Sequence, residues 1–216
     1  MPFKEKIARR AAKEISPWQI INLGIGIPTL IPNYLPPDKP VFIHSENGIL
    51  GMGPRSSPGT EDRNLIDAGG NYVTIKKGAS FFDSVVSFAL VRGGRLDVAF
   101  LGALEVSAKG DLANWIIPGK FSPGIGGGME LAQKAKRVIV TTMHTDRKGK
   151  PKILEVCKLP LTAKGCVDTI VTELAVMDVR PEGLVLRELA KGVDVNEVVE
   201  KTEARLIVSN PHIPRF

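Results

Sequence analysis

The sequence predicts a single α/β domain, residues 1–216, built on an open, largely parallel sheet flanked by helices. Three observations carry that expectation. Short apolar runs recur along the chain and end in glycine. Helical segments alternate with them. Two of the runs, "LDVAFLGAL" and "RVIVTTM", are apolar at nearly every position. Strands covered on both faces read that way, and alternation with helices marks the crossovers of a parallel sheet. A chain of 216 residues, 43% hydrophobic and 24% charged, can bury a full core as one unit without staples.

The elements follow in order. Ile7, Ala8, Ala11, Ala12 and Ile15 fall on one stripe of an amphipathic N-terminal helix. This segment lacks the continuous apolar core of a signal peptide, and Glu5 and Glu14 argue against a transit peptide. "QIINL" is a strand ending at Gly24-Ile25-Gly26, and "TLIPNYL" starts a short helix with Pro32 near its first turn. "VFIHS" and "NYVTI" are strands. Ser80 with Asp83 resembles a capping box for a helix reaching about Arg92. "LDVAFLGAL" is a strand, "PGKFSPGIGGG" a long loop, "MELAQKA" a helix and "RVIVTTM" a strand. "TDRKGKPKILEVC" turns into a strand. "TIVTELAVMDVRPEGLVLREL" holds two strands joined at Arg180-Pro181-Glu182-Gly183. A helix capped at Asp194 and the strand "RLIVSN" complete the order. Ligands of such sheets bind at the carboxyl ends of strands, which makes Gly24–Gly26, Glu46–Gly48 and Gly124–Gly128 the candidate sites.

Composition excludes several classes. No stretch approaches the ~20 apolar residues of a membrane span. The excess of basic over acidic residues, +6, is spread without a basic run, which reads as a solvated surface and not as a nucleic-acid face. It also favours an anionic small ligand. Cys157 and Cys166 stand far apart, and His44, His144 and His212 are scattered, so no metal-site spacing exists and reduced cytoplasmic thiols are expected.

Gly24-x-Gly26, with an acid twenty residues on, mimics a dinucleotide fingerprint but has Thr29 where the third glycine belongs. Pro28 and Pro32 remove backbone donors from the helix start, so NAD binding is not expected. "SPGIGGGM" is the stronger loop. Its glycines let backbone N–H groups approach a ligand as an anion nest or as oxyanion donors; a plain surface turn is the competing reading.

Glu46 stands out because the turn after "VFIHS" needs Asn47 and Gly48 but no carboxylate. A turn carboxylate bonding its own backbone is the bland explanation. Its apolar surroundings favour a task, since a partly buried carboxylate is costly without one. General acid–base or nucleophilic chemistry would suit it. Glu105 could be its neighbour, although a bond to a loop explains that residue better.

"NLGIGIP", "SENGILGMGP", "GASFFDSVVSFALVRGG", "DLANWIIPGK", "GIGGGMEL" and "LPLTAKGCV" resemble successive segments of the B (beta) chain of family I CoA-transferases, which include 3-oxoacid, acetate and 3-oxoadipate enzymes. The likeness covers nearly the whole chain, and "SENG" matches the catalytic signature. It implies an open α/β fold shared with sugar-phosphate isomerases, and a separate A (alpha) subunit, expected as an A2B2 heterotetramer. It implies no cofactor, with coenzyme A carried as substrate, and ping-pong transfer through a glutamyl-CoA thioester. Glu46 matches the nucleophile. Asn22 matches an asparagine beside it, and Gly127 a glycine whose N–H serves the glutamyl carbonyl. Asn47, Gly48, Gly24, Gly26 and Gly126 are the expected substrate contacts. Succinyl-CoA and acetoacetate are the first substrate expectation, with 3-oxoadipate or acetate/butyrate as rivals. A ligand-sensing domain of the same fold is the competing class. Two features depart from the family pattern: Phe121-Ser122-Pro123 replaces an aliphatic-Val-Lys run, and Gly128 widens the glycine loop.

Overall fold

The computed structural model describes residues 2–119, 124–210 and 212–216; the departure at Phe121-Ser122-Pro123 lies outside them. Helix α1 (Phe3–Ala11) continues as a 3-10 turn and leads into β1 (Ile20–Leu23), a 3-10 helix (Ile27–Tyr34), β2 (Phe42–Ser45), β3 (Ile49–Arg55) and β4 (Val73–Phe81). Then come α2 (Ser84–Arg92), β5 (Val98–Leu101), β6 (Glu105–Ser107), β7 (Leu112–Ala113) and α3 (Gly128–Lys134). The chain continues through β8 (Val138–Thr141), β9 (Ile153–Leu154), β10 (Thr169–Val171), β11 (Ala175–Arg180), β12 (Gly183–Leu189), α4 (Val195–Glu200) and β13 (Leu206–Ile207).

Ten strands form one sheet in the order β13-β12-β11-β10-β8-β5-β1-β2-β3-β4. Its centre, β10-β8-β5-β1-β2, is parallel throughout, and antiparallel pairs flank it on both sides. A smaller sheet, β7-β6-β9, packs beside it. The central strands are apolar at nearly every position because both faces are covered. Val98 and Phe100 of β5 join the core under α1, whereas Ala99 and Leu101 join the opposite core with α3 and the small sheet. The stripe Ile7, Ala8, Ala11, Ala12 and Ile15 is buried as expected.

Two local expectations are corrected, and one further strand is found. Ser80 does not cap α2; it is paired with Leu50 in β4, and Asp83 alone caps the helix by accepting from Val86 N at 2.9 Å. The segment Ile49–Arg55, to which the sequence assigned no element, is a strand. The stretch Thr169–Leu189, expected to hold two strands, holds three. The additional turn has no glycine or proline: Thr172 Oγ1 accepts from Leu174 N at 3.2 Å and Ala175 N at 3.0 Å, making the bend with a side chain.

Helix α1 is anchored to the sheet by buried charge. Glu14 receives Arg137 at 2.7 Å and Arg10 at 2.8 Å, and also pairs with Arg187, while Arg10 reaches Glu188. Burial pushes the Glu14 carboxyl up, but these guanidinium groups outweigh it and hold the group below its ordinary value of 4.5. Its stabilisation is therefore full above about pH 4.5 and is lost as pH falls through the lower folded-state value. Glu14→Ala would leave three arginines facing one another, and is expected to cost about 3–5 kcal/mol. The shift of the urea midpoint at pH 7 measures it, and a shift under 1 kcal/mol (roughly a surface pair's contribution) would contradict it.

Candidate active site

The carboxyl ends of β1, β2 and β5 meet where the sheet order reverses. From β1 the chain first adds β2 on one side, then β5 on the other. Such a switch point leaves a crevice above the strand ends. A cavity of about 750 Å³ occupies it, lined by Gly24 and Ile25 after β1, Glu46 and Asn47 after β2, and Leu101 and Gly102 at β5. Phe88 of α2, Trp115 and the Gly124–Gly128 loop make up much of the rest.

The turn that presents Glu46 is a three-residue hairpin loop. Ser45 pairs with Ile49, and Gly48 N donates to Ser45 O at 3.0 Å. Gly48 adopts φ +120°, and a Cβ there would lie 2.0 Å from Phe82 O. The turn thus demands glycine and leaves the first loop position, Glu46, free to serve the cavity. Asn47 also lines the cavity, while its Nδ2 donates to Ile66 O at 2.8 Å and ties the loop down.

Asn22 is fully buried in β1 and donates through Nδ2 to Glu46 Oε2 at 3.0 Å. A Cβ on Gly127 would lie 3.6 Å from Glu46 Cγ and 2.9 Å from the Phe88 ring, so a side chain there would have to displace that ring. The structure therefore brings together Glu46, Asn22 and Gly127, from three distant parts of the chain. Gly24 and Gly126 also line the cavity. Gly48 follows Glu46 within the turn and is outside the lining. Gly26 is outside it too and starts the 3-10 helix, accepting from Thr29 N and Oγ1. Glu105 accepts from Lys158 N and Leu159 N, so it bonds a loop as expected and lines a second cavity.

Sequence reading missed several members. Phe88 and Trp115 wall the cavity, and Asn114, whose Nδ2 donates to Gly102 O at 3.1 Å, lines it as well. His44 and Ser87 lie behind Asn22, in a chain of hydrogen bonds from helix to carboxylate. The available signal was a polar residue, Asn22 or His44, standing inside an apolar strand. Among the described residues, no group of three His, Cys, Asp or Glu could hold a metal ion, and no helix is long and apolar enough to cross a membrane. Burial pushes the Cys157 and Cys166 thiols up to about 12, which keeps both from acting as thiolate nucleophiles at neutral pH.

The sequence model of the Coenzyme A transferase family matches residues 4–201. The chain belongs to this family. It is 53% identical over 208 residues to the beta chain of a probable coenzyme A transferase of Bacillus subtilis, covering 96% of each chain. It is 48% identical to the B chain of a probable succinyl-CoA:3-ketoacid coenzyme A transferase of the same organism, covering 95% of each. The apoenzyme of an acyl-CoA transferase from Escherichia coli superposes with a TM-score of 0.77 at 24% identity, over 99% of this chain and 43% of that one. The chain thus spans less than half of that enzyme, and the likeness at this identity establishes the coenzyme A transferase fold.

Proposed function

We propose that this chain is the beta component of an acyl-CoA:carboxylate CoA-transferase and that Glu46 is its nucleophile. The observation that carries the reading is the Glu46 carboxylate in a cavity at a strand-end switch point, held by Asn22 at 3.0 Å and faced by a glycine loop. A carboxylate oxygen of Glu46 attacks the thioester carbonyl of an acyl-CoA. The C–S bond breaks, leaving an acyl-glutamyl anhydride and CoA thiolate. The thiolate then attacks the glutamyl carbonyl, the first carboxylic acid leaves, and a glutamyl-CoA thioester remains. A second carboxylate reverses both steps. No cofactor enters this sequence; coenzyme A is carried as substrate. The Asn22 amide and the Gly127 N–H are the donors assigned to the developing oxyanions, each worth about 3–4 kcal/mol in such a role. Gly24, Gly126 and Asn47 border the space for substrate, with Gly26 and Gly48 supporting them.

Water destroys both intermediates, so the cavity must close during turnover. This chain leaves apolar side chains bare beside the cavity: Ile25, in its lining, is 70% exposed, and Val85, next to the lining residue Ser84, 72%. Such a patch supports a covering alpha subunit, in an A2B2 assembly. Succinyl-CoA and acetoacetate are the substrate pair we assign first, in the cytoplasm. The expected result is that the chain alone is nearly inactive. Mixed with its alpha subunit and acyl-CoA, it should gain the mass of a CoA thioester, which a carboxylate acceptor removes and Glu46→Ala prevents. Full turnover by the chain alone would remove the alpha subunit from the proposal. Turnover without any adduct would remove the covalent step.

A further inference from the structure

The hydrogen bonds behind Glu46 favour one arrangement of protons. Asn22 Nδ2 lies 3.0 Å from Glu46 Oε2, 3.2 Å from the His44 carbonyl oxygen and 3.2 Å from His44 Nδ1. The first two are acceptors, so the amide nitrogen and not the oxygen belongs there. The amide has two N–H groups for these three contacts, so the one on the His44 side is shared between the carbonyl and Nδ1, and a proton on Nδ1 would point at the amide donor. That leaves the imidazole proton on Nε2, where Ser87 Oγ stands at 2.9 Å to receive it. At the other end of the amide, Asn22 Oδ1 is buried with no hydrogen-bond partner among the described residues. Among the described residues, it is the acceptors at the nitrogen end that orient the group.

We infer that His44 is a positioning residue, which as a neutral imidazole braced by Ser87 fixes the Asn22 amide with its N–H groups toward Glu46. The inference rests on the proposed role of Glu46. Its use arises when the Glu46 carboxylate becomes an anhydride or thioester and loses its charge. The bond from Asn22 to Glu46 then weakens, and His44, holding one amide N–H between its ring and its carbonyl, keeps the other N–H aimed at the carbonyl under attack. A donor fixed beforehand needs no reorganisation in the transition state. The surroundings suit a neutral ring. His44 is 1% exposed, its ring stacks on Phe82 with centroids 6.2 Å apart, and burial pushes its pKa down to about 4. The register explains the placement: Asn22 and His44 are direct partners on neighbouring parallel strands, so their side chains leave the sheet on one face.

The test uses the complete enzyme with its alpha subunit. His44→Phe keeps the bulk and removes the acceptor; it is expected to lower kcat about tenfold, the value of one lost hydrogen bond, with KM for acyl-CoA unchanged within about twofold. His44→Asn, which restores an acceptor near the Nδ1 position, should recover most of kcat. In an Asn22→Ala background, His44→Phe should change kcat by less than about twofold, because the group it positions is gone. Independently of any variant, ¹⁵N spectra of the histidine rings should show His44 protonated at Nε2 and bare at Nδ1. Unchanged kcat in His44→Phe, additive losses with Asn22→Ala, or a proton on Nδ1 would each overturn the inference. Full turnover by Glu46→Ala would instead overturn the role of Glu46, and the ring tautomer would still decide whether His44 orients the amide.

Discussion

Glu46→Gln is expected to lower turnover by about 10⁴-fold or more while leaving the fold intact. The amide keeps the shape of the side chain, and its oxygen can still accept from Asn22. It cannot exchange an acyl group or form a CoA thioester. The half-buried position at a turn tolerates the change, so thermal unfolding should shift little. Glu46→Asp separates chemistry from placement. It retains a carboxylate but withdraws it by one methylene from the cavity and from Asn22. A misplacement on the order of 1 Å costs about 100-fold in such reactions. Parallel assays of turnover and intact mass check both variants. Glu46→Gln retaining a tenth of wild-type activity would exclude a covalent role.

Gly48→Ala is expected to have the second largest effect, and its effect is on folding. The added Cβ would meet Phe82 O at 2.0 Å, in a backbone conformation, φ +120°, that L side chains rarely adopt. Phe82 N donates to Gly48 O at 3.0 Å, so this backbone cannot move aside without breaking the pairing that joins the turn to the start of α2. Strain and overlap together should cost about 3–5 kcal/mol, lowering Tm by roughly 10 °C. Gly26→Ala is the control. Its φ of +102° carries similar conformational strain, but no atom lies within 4 Å of the added Cβ. It should lose only about 1–2 kcal/mol. Equal losses at the two positions would mean that conformation alone, and not the close approach of Phe82, demands glycine at Gly48.

Both expectations concern one short hairpin, and most of it could be read from the sequence. The apolar run before Glu46 located the strand, and Asn47-Gly48 located the bend. The central strands β1, β2, β5 and β8 were legible for the same reason: burial on both faces leaves a nearly unbroken apolar run. β3 was not, because Gly51, Gly53 and Pro54 interrupt its pattern while it pairs with β2 and β4. β4 ran six residues beyond its expected end, through Lys76, Lys77 and Gly78, because an edge strand exposed to solvent has no apolar requirement to advertise it. Glu46, Asn22 and Gly127 could be named from segments resembling a known family. Their convergence depends on the parallel register of β1 with β2 and on the loop before α3, which no local pattern encodes. His44 and Ser87 lay beyond reach for the same reason. Their meaning comes from which atoms face one another across strands.

Asn22 stands between Ile21 and Leu23, and His44 beside Ile43, in the middle of the main sheet. Two aliphatic side chains would suit that interior better, since desolvating an amide and an imidazole opposes folding. The polar pair does, however, define alignment: shifting β2 by one residue against β1 would set Asn22 against Ile43 or Ser45 and strand a buried amide. The polar pair beside Glu46 thereby acts as a proofreading mark for the assembly of the sheet. A misaligned sheet is penalised by the same side chains that, in the correct register, hold the Glu46 carboxylate at the cavity.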